Sequence, residues 1–100
     1  MKNFRTFDLA VEFYRLARSL PAKGHVRDQL HRAAYSIVLN LAEGRGKATL
    51  KDQKRFFHIS LGSLRECQAI LLIEDWKNTK EWKLLDKLGG HLYRLIEQAR

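Results

Sequence analysis

Along the stretch from Gln29 to Gly46, apolar residues go most of the way round a helix, with Ile37, Val38, Leu39, Leu41 and Ala42 crowding it. Within the same stretch Gln29, Arg32, Ser36, Asn40 and Glu43 recur three or four residues apart, which places them on one helical stripe. A helix this apolar is expected to be buried on more than one side. A polar seam inside it needs partners, because a buried polar group without a hydrogen bond is costly.

The rest of the chain reads as three further helices. The first is predicted to start at Thr6 or Asp8, either of which can cap free N–H groups, and to end near Leu20 before Pro21. Leu9, Phe13, Leu16, Ala17 and Leu20 give it core spacing. The connector from Pro21 to His25 is short, so the second helix, Val26 to Glu43, returns antiparallel beside the first. Gly44 stands where a left-handed C-terminal cap belongs. Glu43 in the last turn opposes the helix dipole, so Arg45, Lys47 or a residue of the next helix is expected to hold it.

Thr49 and Asp52 form a capping box for a third helix running from Leu50 to about Lys77, on the order of 40 Å long. It carries two stripes, Phe56, Ile59, Ser63, Cys67, Ile70 and Glu74 beside Phe57, Leu61, Leu64 and Leu71. A bundle of this size needs one buried face per helix, so the second apolar surface is expected to meet another chain, with Ser60, Gly62 and Ser63 admitting a close backbone. Thr79 caps the fourth helix, in which Gly89 and Gly90 predict close packing, a kink or a break, at a cost of about 2 kcal/mol.

This pattern makes the chain all-α, an antiparallel up-and-down four-helix bundle in a single domain over residues 1–100. Cys67 alone excludes a disulfide framework and a multi-cysteine zinc site and fits a reducing cytoplasm. His25, His31, His58 and His91 lack metal-ligand spacing, and no metal or cofactor is expected. The N-terminus does not read as a signal peptide. No uninterrupted run approaches about 18 apolar residues, so no membrane span is expected. The net charge of +8 points to polyanionic partners, nucleic acid first among them.

Position sharpens that expectation. Arg45, Lys47, Lys51, Lys54 and Arg55 follow the second helix closely, opposed only by Asp52, while Arg15, Arg18, Lys23, Arg27 and Arg32 surround the first connector at the other end of the bundle. The first group is the candidate nucleic-acid-binding site, contacting phosphates without reading sequence. Phe56 and Phe57 stand at core spacing and are expected to pack inside. The seam of Gln29, Arg32, Ser36, Asn40 and Glu43 is expected to be a buried network fixing register with the third helix. In that register Asn40 faces Gln53 to Phe57, Ser36 faces Phe57 to Ser60, and Gln29 or Arg32 faces Ser60 to Leu64. Glu66 is expected to pair with Arg32 or Arg65 in the same way. No nucleophile, metal set or anion hole accompanies Asn40 and Glu43, so the protein is not expected to be an enzyme.

Three segments carry a resemblance: Asp28-Gln29-Leu30-His31-Arg32-Ala33-Ala34-Tyr35-Ser36-Ile37, Asn40-Leu41-Ala42-Glu43-Gly44, and Phe56-Phe57-His58-Ile59-Ser60-Leu61-Gly62-Ser63-Leu64-Arg65-Glu66. Together they resemble the bacterial four-helix-bundle family of 23S rRNA intervening-sequence proteins, whose relatives include the accessory variability determinant proteins of diversity-generating retroelements. Leu41 replaces the usual Ile, and Ser60 stands where Ala is common; neither is expected to disturb the fold. The resemblance implies a ring-shaped homo-oligomer, typically a pentamer, and for some members a nucleic-acid or reverse-transcriptase partner. Two functions stay open: a homo-oligomeric protein that binds RNA or DNA, or a scaffold that binds a protein partner such as a polymerase.

Overall fold

The computed structural model describes residues 4–99 as four α-helices, with no strand among the described residues: α1 (Arg5–Ala17), α2 (Gly24–Arg45), α3 (Leu50–Ile73) and α4 (Lys80–Gln98). Each helix packs on its sequence neighbours, and α1 closes the square against α4; α2 and α3 share the most extensive contact. Phe13, Leu30, Ile37, Leu41, Leu64, Leu71, Leu85, Leu88 and Leu92 form the sealed centre. The bundle measures 39 × 22 × 21 Å.

The helix ends differ from expectation where packing outweighs capping. Neither Thr6 nor Asp8 caps α1: the cap position is Phe4, which makes no side-chain cap bond. Its ring is buried and stacks on Phe7 at 5.9 Å, so burial of an aromatic starts the helix about one turn early. At the other end α1 stops at Ala17, and the chain tightens through Ser19 N–H to Leu16 O and Leu20 N–H to Ala17 O before Pro21. Thr49 accepts from the Asp52 N–H at 3.1 Å, but Asp52, a methylene shorter than Glu, returns no bond to Thr49 among the described hydrogen bonds. Helix α3 ends at Ile73, short of Lys77. Asp75 takes the left-handed conformation (φ 60°), and the Asp75 and Trp76 N–H groups bond back to Leu72 O and Leu71 O, a Schellman ending.

Gly44 is not a left-handed cap. Helix α2 continues through it to Arg45, and among the described glycines only Gly24, at the start of α2, has positive φ (58°). What requires glycine at 44 is proximity: a Cβ there would lie 2.6 Å from Phe57 Cε1, 2.8 Å from Phe57 Cδ1 and 3.1 Å from the Gln53 carbonyl oxygen. Helix α4 likewise runs unbroken through Gly89 and Gly90, and neither is closely packed. A Cβ at 89 would meet Leu64 at an ordinary 3.7 Å, and one at 90 would come no nearer than 4.0 Å to Arg94.

By length and average composition α3 is apolar enough to cross a membrane, although no uninterrupted run approaches that length; its apolar stretch has a mean hydropathy of 1.2. In the bundle its two apolar stripes part company. Phe57, Leu61, Leu64 and Leu71 are core, whereas in the other stripe only Cys67 is core, Phe56, Ser63, Ile70 and Glu74 are half-buried and Ile59 is exposed. Core helices of soluble proteins meet the same measure of length and composition.

Two glycines of this hairpin are expected to respond oppositely to alanine. Gly44→Ala drives a methyl into a core ring and a backbone carbonyl and should lower the free energy of unfolding by about 2 to 3 kcal/mol. Gly62→Ala adds a Cβ where nothing lies within 4 Å. It should raise stability by about 1 kcal/mol, the helix-propensity difference. Urea titrations of the two variants measure both signs.

Candidate nucleic-acid interface

The polar stripe of α2 finds partners on α3, but in a different register from the one expected. The Ser36 and Ser63 hydroxyls lie 2.7 Å apart, and Ser60 donates to the Ile37 carbonyl at 2.8 Å. Ser36 therefore faces a residue at least three places beyond the predicted Phe57 to Ser60, because α2 runs past Gly44 and the chain reverses later. Asn40 does not cross to α3 at all. Its amide donates back to the Ser36 carbonyl (2.9 Å) and hydroxyl (3.0 Å), while Gln53 ties the turn by donating to Lys47 O at 3.0 Å.

Glu66 takes Arg32, not Arg65, at the far end of the seam: the Arg32 guanidinium donates to Glu66 Oε2 at 2.6 Å and to Gln29 Oε1 at 2.8 Å. The Arg32 and Glu66 side chains are 61% and 40% exposed while Ser36, Asn40 and Ser63 are half-buried, so the seam opens to solvent at its Arg32 end in the protomer and is not the fully buried network expected. Glu43 is held by Lys47 at 3.3 Å, one of the partners anticipated for it. Ser60 is sealed inside the α2–α3 contact and does not offer itself to a second backbone.

The five predicted phosphate-binding residues have different immediate neighbours. Arg45 lies over the Phe4 ring at 4.8 Å, on the α1 side. Lys47 and Arg55 both lie over Phe56, at 5.0 and 4.9 Å from its centroid. Phe56 is thus a half-buried surface ring carrying two cations, and only Phe57 packs inside as expected for both. Lys54 turns toward α4, lining a depression of 260 Å³ with His58, Arg65 and Tyr93.

What the structure brings together instead is a ridge along α3. Lys51, Lys54, Arg55, His58 and Arg65 follow helical spacing, all exposed except the half-buried Lys54, and none forms an ion pair among the described residues. His58 and Arg65 were missed as members of it; the spacing of His58 four residues after Lys54, and of Arg65 two turns after His58, was the available signal. At the opposite end the second basic group is partly spent. Arg18 lies over Tyr14, Arg27 pairs with Asp28 at 3.5 Å, and Arg32 is drawn into the seam.

Two titratable groups report their surroundings. His91 on α4 is held below its ordinary pKa by burial and then by the positive charges of Arg94, Arg5 and Lys87, so the cationic field extends over α4. Cys67, buried between the seam and the core, has its thiol pushed up from 9.0 to about 12 by desolvation first and the Glu66 carboxylate second, with Arg32 opposing. Such a thiol is inert rather than nucleophilic.

The geometry defines a class first: an all-α four-helix bundle with a surface polar seam between its second and third helices and an unpaired basic ridge on the third. The family model described as 23S rRNA-intervening sequence protein matches residues 4–98, and the chain belongs to that family. No curated protein and no solved structure gives a significant match.

The Cys67 environment makes a signed pH prediction. The unfolded thiol ionises near 9.0, whereas the folded chain keeps it protonated to about 12. The folded state binds more protons in this window, so stability should fall as pH rises from 9 toward 12. Urea titrations of Cys67→Ala should show a lower baseline but a shallower decline over that range than the parent.

Proposed function

We propose that the protein is a non-enzymatic, cytoplasmic, cofactor-free basic protein that assembles with itself, a ring-shaped pentamer being the favoured form, and binds RNA or DNA through phosphate contacts as an accessory factor. The observation that carries the nucleic-acid part is the α3 ridge, where Lys51, Lys54, Arg55 and Arg65 lie along one helix with no ion-pair partner among the described residues. Cations left unpaired in this way attract a polyanion at long range and release its condensed counterions on contact. Arg45 and Lys47, at the end of the same hairpin, extend the phosphate-binding surface past the turn.

Support for self-assembly is the apolar surface the protomer leaves uncovered. Leu39 and Ile59 flank the seam, and Ile73, 77% exposed, ends the same face of α3. Burying these residues against a second copy would also seal the Arg32–Glu66 pair. The alternative, an adaptor that binds a protein partner such as a polymerase, is favoured by Tyr35, half-exposed one turn from Leu39 on α2.

Two measurements separate these readings. Reversing charge at Lys51, Lys54 and Arg55 together should weaken RNA and DNA binding and reduce the slope of log affinity against log salt by about 2 to 3. An unchanged slope would sink the phosphate-contact reading. Light scattering of the purified chain should give a mass several times the protomer's, and Leu39→Asp with Ile73→Asp should reduce it. A parent of monomer mass would remove the case for self-assembly, and absence of nucleic-acid affinity at physiological salt would favour the adaptor.

A further inference from the structure

Helices α3 and α4 leave two adjoining open depressions between them, of 430 and 260 Å³, which share Leu61, Arg65 and Tyr93. In the larger one α4 carries no side chain at two successive positions. Gly89 and Gly90 form one wall, although the fold would admit a Cβ at either. The floor is apolar, made by Leu61 and Leu64, which are 7% and 2% exposed. Tyr93 lines both depressions, is 55% exposed as a residue and makes no ring or cation contact among the described residues. Lys54 and Arg65, two unpaired members of the α3 ridge, line the same walls.

We propose that this groove receives a base of a single-stranded nucleic acid, stacked on Tyr93, while Lys54 and Arg65 hold the flanking phosphates. The inference rests on the nucleic-acid reading above and deepens it. Asp86 lines one end of the groove and Glu97 the other, so a phosphate is disfavoured on the floor and a neutral base is not. The faces of a base are available only in a single strand, since a duplex keeps them stacked inside. A free aromatic ring beside a basic track is the combination that binds single strands with little regard to sequence.

The test uses the full chain and three probes: labelled oligo(dA) of about 20 nucleotides, longer than one such site requires, its duplex with oligo(dT), and inorganic polyphosphate, which has charge but no base. The parent should bind the single strand more tightly than the duplex. Tyr93→Leu should weaken oligo(dA) binding by about five- to 100-fold, the range for loss of one stacked base. It should leave polyphosphate affinity and the salt slope unchanged, and Tyr93→Trp should retain binding. Gly90→Leu, which fills the groove from a position open to a Cβ, should act as Tyr93→Leu does.

Equal affinity for duplex, unchanged oligo(dA) binding in the Leu variants, or a parallel loss of polyphosphate binding would overturn the proposal. So would a changed mass of Tyr93→Leu in light scattering, which would place the ring in a subunit contact. A parent that binds none of the three probes at low salt would instead remove the nucleic-acid reading itself, and this inference with it.

Discussion

The contact on which the molecule depends is the meeting of Gly44 with the Phe57 ring. Only a residue without a side chain lets α2 and α3 approach so closely at the turn, and that approach sets their register. From there the two helices are joined in order by Ser60 to the Ile37 carbonyl, Ser36 to Ser63 and Arg32 to Glu66. The hydroxyl bonds are individually modest, each worth about 1 kcal/mol. Their common spacing makes any slip by a turn break all of them at once while driving a side chain into the Phe57 ring.

That register also decides where charge is spent. Glu66 neutralises Arg32, Glu43 neutralises Lys47 and Asp28 neutralises Arg27, each on or beside α2. Helix α3 contributes Glu66 to the seam, and its Lys51, Lys54, Arg55 and Arg65 form no ion pair among the described residues. They are displayed along a helix whose other face is core, a placement that holds them at a repeating distance.

Phe56 and Phe57 show how far adjacent residues can be separated by a helix. Both satisfy core spacing in the sequence, yet one hundred degrees of rotation puts Phe57 under Gly44 and leaves Phe56 at the surface with Lys47 and Arg55 over it. The seam misled for a related reason. Polar residues at helical spacing on an apolar helix indicate that the stripe meets something, but not how deeply, and here the Arg32 end stays open to solvent in the protomer.

The linear chain by itself determined four helices in order, their antiparallel sequence, the core leucines and the meeting of the α2 polar stripe with α3, because these follow from periodicity and short connectors, which act over neighbouring residues. It also carried the family, now supported over residues 4–98. What only the tertiary structure decided is the axial offset between helices and the rotation of each about its axis. A late chain reversal moved Ser36 from the Phe57–Ser60 region to Ser63, and rotation set Arg45 over Phe4 and Lys47 over Phe56 while joining His58 and Arg65 to the ridge of Lys51, Lys54 and Arg55. Offset and rotation are set by close packing between side chains distant in sequence, and the hydrophobic pattern of any one helix is satisfied by several values of each.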